Sequence, residues 1–314
     1  MKPDEILRDI RETTAGIIWR QWKGLGAMTN EREAQAIVDP EALLLASLAL
    51  TEIEPRLPGV VHSWIWENAE LLNITRLTNL SSSFPVATEL EEIAQLALAS
   101  GDRRWKTLAG SRVRAPAPER PKGRSIPVPM QPGAALMLRL RVGLGNGSRA
   151  DILTYLLGLA NLPGGERWAS VATISDALSY GIAGIRKVAD EMARARLIEQ
   201  LPGVASGRGP TARMFRARAG SWTPVLGGTN AQWHDWKETY LFVIELHRFV
   251  RGAPANTVTE YVLWTKCREL FEQHPRALPS YQSELQRLPI DSEDWPAYLE
   301  QRVSQWKSWA VNGA

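Results

Sequence analysis

Residues 149–218 read RADILTYLLGLANLPGGERWASVATISDALSYGIAGIRKVADEMARARLIEQLPGVASGRGPTARMFRAR, and the order of patterns within them decides the fold. In 149–161, Ile152, Leu153, Leu156 and Leu157 recur at helical spacing, which predicts an amphipathic helix. After Pro163-Gly164-Gly165, residues 170–180 predict a second, short helix with Ile174, Ala177 and Leu178 on its apolar face. Gly181 marks a tight turn. Residues 182–197 predict a third helix whose Ile185, Val188, Ala189 and Met192 complete a small three-helix core. Two strand-like runs follow, 197–201 (LIEQL) and 212–218 (ARMFRAR). The loop between them is rich in Gly and Pro, residues that let a hairpin tip turn sharply.

Charge singles out the same region. The chain has 314 residues and a net charge of +3. Residues 1–102 carry 8 Lys+Arg and 16 Asp+Glu, residues 103–219 carry 20 and 7, and residues 220–314 carry 9 and 11. The thirds are therefore −8, +13 and −2. A basic middle between acidic flanks points to a polyanionic partner, with a merely solubilising surface as the plain alternative.

The central segment resembles the winged helix-turn-helix transcription regulators of bacteria. The resemblance is carried by RADILTYLL (149–157), ATISDALSYGIAGIRKVADEMARARLIE (172–199) and the Arg-bearing loop that would be the wing. It covers about a quarter of the chain. It implies duplex DNA binding, commonly as a dimer, with the third helix in the major groove and regulation of transcription as the outcome. On that footing Arg186 and Lys187 are placed for bases or phosphates, and an arginine reads guanine with two hydrogen bonds. Arg194 lies outside the apolar stripe of the same helix. Tyr180, just before it, offers a hydroxyl to a phosphate. Arg208 stands at the wing tip, Arg213 and Arg216 (with Arg218) on the return strand, and Arg149 at the start of the first helix. Two features depart from the family pattern. Gly181-Ile182-Ala183-Gly184 replaces a polar cap before the third helix, which leaves few base-reading side chains and shifts selectivity toward DNA shape. Arg196 stands where many members have Gly. A winged helix used only for protein contacts is the other reading of this segment.

Around it the chain reads as helical. Ile6, Ile10, Ile17, Ile18 and Trp22 give residues 1–30 one apolar face. Asp39-Pro40-Glu41 opens a buried helix, with Pro in its first turn and acids near the positive end of the dipole. Pro58-Gly59 separates it from VVHSWIWENAELL. Further helices are expected near 75–80 and over 90–99. Beyond Trp222, helices are predicted over 234–250, over 256–274 with Asn256 or Thr257 as cap, over 280–288 and over 291–310. The expected architecture is mainly α. It comprises an acidic helical domain (1–101), a basic Pro-rich linker (102–133), a winged helix-turn-helix domain with a small β wing (134–220) and a helical C-terminal domain (221–314). The linker reads either as an arm lying along phosphates or as a solvated tether.

Residues 37–80 are also similar to the N-terminal part of an uncharacterised bacterial family of winged-helix regulators, some of which accompany nucleotidyltransferase-like partners. That likeness names no functional residue and leaves a toxin–antitoxin or defence-related role open. The alternative to a regulator is therefore an antitoxin-like or adaptor protein whose winged helix and helical flanks bind a partner protein. On either reading the helical flanks serve a homo-oligomer contact or a protein partner. The thirteen Trp are read mainly as core, with a few as interface anchors.

Enzyme chemistry finds little footing. His62, His234, His247 and His274 show no metal-ligand spacing. GLGNG (143–147) lacks the Lys-Ser/Thr of a nucleotide-binding loop. Cys267 is the only cysteine, which excludes an internal disulfide. The expectation is no catalytic residue, no metal and no cofactor. No apolar run reaches the roughly 18 residues of a membrane span. The charged start MKPDEILRDI is no secretory signal, so a cytoplasmic location is expected.

Overall fold

A computed structural model describes residues 3–110, 119–121, 125–131, 133–165, 167–201, 213–228, 230–252, 259–277 and 294–312. The protein is mainly helical, with one small antiparallel sheet. Five helices come first: α1 (Pro3–Gly24), α2 (Pro40–Ala49), α3 (Leu57–Asn68), α4 (Ile74–Ser81) and α5 (Ala87–Ala99). The middle holds α6 (Leu136–Leu144), α7 (Ser148–Ala160), β1 (Ala169–Ser170), α8 (Val171–Leu178), α9 (Ile182–Arg194), β2 (Glu199–Leu201) and β3 (Met214–Arg216). Then come α10 (Ala219–Leu226), α11 (Trp236–Gly252), α12 (Glu260–Gln273) and α13 (Trp295–Asn312). None of the described helices is long and apolar enough to cross a membrane.

Local chemistry explains several boundaries. Asp39 caps α2 by accepting from the amide of Ala42 at 3.1 Å, and Pro40 follows in the first turn. Asn73 does the same for α4 through the amide of Arg76 at 3.0 Å. Pro58 sits inside the first turn of α3, so it opens that helix rather than separating it from the last. The cap of α12 is Thr259, which accepts from the amide of Val262, in place of the expected Asn256 or Thr257. Those two lie outside the described residues, as does the helix expected over 280–288.

Two hydrophobic cores result. The larger joins α1–α5 to α11–α13, so the two acidic flanks share one interior. Trp22, Trp64, Trp105, Trp236, Trp295 and Trp306 are fully buried, each removing about 150–250 Å² from water. Trp22 and Trp64 meet edge to face at 5.8 Å, and their indoles donate to Ser47 Oγ and to the carbonyl of Leu25. The Pro-rich stretch is partly built into this body. Trp105 and Ile126 are buried in it, and Asn68 donates to the Ile126 carbonyl at 3.0 Å.

The second core runs from α6 to β3 and takes in Ile37 and Trp233 from either side. Its centre is α7, buried along Ala150–Gly158 on every face, not on one as its pattern suggests. Gly158 is needed there. A Cβ would lie 2.7 Å from the amide nitrogen of Trp233, whose N–H donates to the Gly158 carbonyl. Strand β3 is central in the sheet, pairing antiparallel with β1 (Ala169 opposite Phe215) and with β2 (Gln200 opposite Phe215).

Candidate nucleic-acid interface

The turn between α8 and α9 is set by local hydrogen bonds. Ser170 caps α8 by accepting from the Thr173 amide at 3.1 Å. At the other end Ser179 adopts a left-handed conformation (φ 55°), while Gly181 is extended (φ −66°). The sharp bend therefore belongs to Ser179, a short polar residue that tolerates it, and not to Gly181. Ser175 Oγ donates to the carbonyl of Tyr180 at 2.5 Å, closing the turn.

Helix α9 packs Ile185, Ala189 and Met192 inward. Ile182, Ala183, Gly184, Arg186, Lys187 and Arg194 are exposed. No side chain caps its first turn. Arg186, Lys187 and Arg194 enter no ion pair among the described residues. The nearby carboxylates are already engaged. Glu191 pairs with Arg149 at 2.8 Å, Asp190 with Arg213, and Glu199 with Arg216 at 2.7 Å and Arg218 at 2.6 Å. The hydrogen bond from Arg149 holds the carboxyl of Glu191 below its usual range, with Lys187 and Arg194 adding to that field. Among the described residues, eight cations (Arg149, Arg186, Lys187, Arg194, Arg196, Arg213, Arg216, Arg218) thus accompany three carboxylates, an excess of five positive charges on α9, the start of α7 and the strand region beside them.

The expected site residues divide accordingly. Arg186, Lys187 and Arg194 stand free on one helix. Arg149 and Arg213 flank them, each held by a carboxylate of α9. Arg216 is half-buried, with its guanidinium 4.5 Å from the ring centre of Trp168. Arg208 lies outside the described residues. Tyr180 is a correction. Its hydroxyl donates to Asp151 Oδ2 at 2.6 Å, and burial followed by the Asp151 charge pushes its pKa up. The residue is half-buried and its hydroxyl is committed to Asp151, so it braces the turn rather than presenting a free hydroxyl to a phosphate.

Asp151 belongs to a buried ionic cluster that the sequence reading missed. Arg76 donates to Asp39 (2.5 and 2.6 Å), to Glu41 (2.6 Å) and through Nε to the carbonyl of Leu178 at the end of α8 (2.8 Å). Arg141 donates to both oxygens of Glu41 (2.6 and 3.0 Å) and of Asp151 (2.8 and 3.0 Å). All five side chains are at most 2% exposed. Burial alone would raise the pKa of Glu41, yet the charges of Arg141 and Arg76 prevail and hold it at about 2. The only hint in the sequence is a charge inside each apolar run: Asp39 and Glu41 before LLLASLAL, Arg141 in LMLRLRVGL, Asp151 in ADILTYLL.

The cluster seats the α8–α9 unit on the helical body. Asn79 adds a hydrogen bond to the carbonyl of Ser179 at 2.9 Å, and Arg276 ties Asp176 of α8 to Asp235 at 2.5 and 2.9 Å. Asn146, from the GLGNG loop, donates to the carbonyls of Glu70 and Leu72 at 2.9 and 2.8 Å. That loop is a structural joint. The buried histidines are likewise internal. His234 contacts Thr239 at 2.7 Å, and His274 bridges Glu238 and Glu245 at 3.0 and 3.3 Å. Among the described residues no group of three or more His, Cys, Asp or Glu is arranged to hold a metal ion. Comparisons with protein-family models, with curated proteins and with solved structures give no match.

Proposed function

We propose that the segment from α7 to β3 is a winged helix that binds duplex DNA through α9 and the neighbouring strands, and that the protein acts as a DNA-binding regulator. The observation that carries this reading is the outer face of α9. Among the described residues Arg186, Lys187 and Arg194 are exposed and unpaired there, while Glu191, Asp190 and Glu199 beside them are each already paired with another arginine. The element order supports it: helix, short strand, two helices across a tight turn, then two strands, with β3 between β1 and β2. So does the bare first turn of α9, where Ala183 and Gly184 allow close approach and free amides suit a phosphate.

The mechanism follows from electrostatics. Cations on α9 displace counterions from the duplex, so affinity falls steeply with salt, by about 0.9 in log K per log salt for each phosphate engaged. The buried ionic cluster and the Asn79 and Arg276 bonds hold α9 at a fixed angle to the body, so the face meets the groove preformed. Fluorescence anisotropy tests this on a random duplex and on the upstream region of the protein's own coding sequence, across a salt series. Binding that weakens with salt and is tighter on the upstream region is the expected result. No binding at low salt contradicts it and favours a partner protein on this face.

A further inference from the structure

Arg196 follows α9 and precedes β2. Its backbone sits at φ 58°, the left-handed region that a Cβ disfavours. Its amide donates to the carbonyl of Ala193 at 3.0 Å, and the amide of Leu197 to that of Met192 at 3.0 Å. These two bonds make a Schellman cap, with Arg196 in the seat that glycine normally takes. The only other described non-glycine residue at positive φ is Ser179, which is short and polar and has its carbonyl bonded by Asn79.

Among the described residues nothing rewards a long cation at this seat. The Arg196 side chain is exposed and enters no ion pair among the described residues. Arg194, in the last turn of α9, already complements the negative end of the helix dipole. The turn itself is braced from the other side, where the indole of Trp222 donates to the Leu197 carbonyl. Among the described residues Arg196 is an uncommitted cation at the junction between α9 and the strand pair, the two parts of the proposed face. Of the nearest charges along the chain, Glu199 is taken by Arg216 and Arg218. A positive φ at an exposed arginine whose side chain has no ion-pair partner among the described residues points to a role outside the fold.

We infer that Arg196 is a phosphate-contacting residue of the DNA face, occupying a glycine seat so that its guanidinium reaches the duplex backbone where the helix contact passes into the strand contact. This rests on the reading of α9 as a DNA-binding helix. The test compares wild type, Arg196→Gly and Arg196→Lys by thermal unfolding and by anisotropy on one duplex across a salt series. Arg196→Gly is expected to keep or raise Tm. At the same time it binds about three- to ten-fold more weakly, with a salt slope shallower by about 0.9, one phosphate contact. Arg196→Lys keeps the charge and most of the affinity.

Unchanged affinity and slope in Arg196→Gly would overturn the inference while leaving the DNA reading intact. A clearly lower Tm for Arg196→Gly would overturn it too, because the arginine would then serve the fold. Failure of the wild type to bind at low salt would overturn the DNA reading, and this inference with it.

Discussion

Two sets of basic residues in this protein have opposite fates. Arg76 and Arg141 lie fully buried, and every guanidinium nitrogen of both is bonded to a carboxylate or a backbone carbonyl. Arg186, Lys187 and Arg194 stand in solvent with no carboxylate of their own among the described residues. The buried pair crosses between the two cores, since Asp39, Glu41 and Arg76 belong to the helical body and Arg141 and Asp151 to the unit that carries α9. A charge taken out of water must be matched in place, which fixes geometry. A charge left in water keeps its hydration and its freedom, and can be matched by something else. The same residue types thus set the angle of α9 in one place and present its chemistry in the other. Net charge along the chain cannot tell the two apart. Part of the +13 of the middle segment is Arg141, which no partner can reach.

The comparison breaks most visibly at Arg141. Arg141→Met leaves Glu41 and Asp151 buried without their shared cation. Urea unfolding should show a loss of about 3–5 kcal/mol. A loss under about 1 kcal/mol would mean that the cluster is wetter or looser than its geometry. Acid is a gentler probe. The folded pKa of Glu41, about 2, lies below its unfolded value near 4.5, so it contributes stability that is present above about 4.5 and is lost as pH falls through about 2. His234, held neutral at about 3 by burial, acts with the same sign from about 6.5 downward. Wild type and Glu41→Gln should therefore differ most at neutral pH, and their Tm values should converge between about pH 4.5 and 2. A constant gap would contradict the assignment.

Arg276 stands between the two extremes, being half-exposed. Burial pushes the Asp235 carboxyl up to about 7, against the pull of Arg276. Arg276→Ala should cost less than about 1 kcal/mol at pH 8, after solvent screening. It should cost still less at pH 6, where Asp235 is mostly protonated and needs no cation. Denaturant midpoints at the two pH values check this, and an equal cost at both would sink it.

Much of the helical framework was legible in the sequence because apolar spacing near 3.6 residues is a local signal. The helices at 182–194 and 236–252 follow it closely, and the one at 40–49 was marked instead by its Asp39-Pro40-Glu41 start. What escaped was non-local. Strand β1 is two residues long and exists only because β3 pairs with it. Helix α6 hides in LMLRLRVGL, where the buried Arg141 disguises an interior position as a surface one. The shared core of the two flanks joins residues some two hundred positions apart, such as Trp22 and Trp236. At the candidate site the free cations of α9 were visible as residues outside an apolar stripe. The inward turn of Tyr180 was not, because its partner Asp151 looked like an ordinary first-turn acid. The left-handed seat of Arg196 was marked only by its departure from the glycine that the winged-helix resemblance implies at this place.

The most direct measurement is the salt dependence of duplex affinity for wild type and for Arg186→Ala/Lys187→Ala, with circular dichroism confirming equal folding. Both residues are exposed and outside the core of α9, so Tm should stay put. The account predicts weaker binding by the double variant and a salt slope shallower by up to about 1.8, the value for two lost phosphate contacts. Identical affinity and slope in the folded variant would contradict the assignment of α9 as the DNA-facing helix.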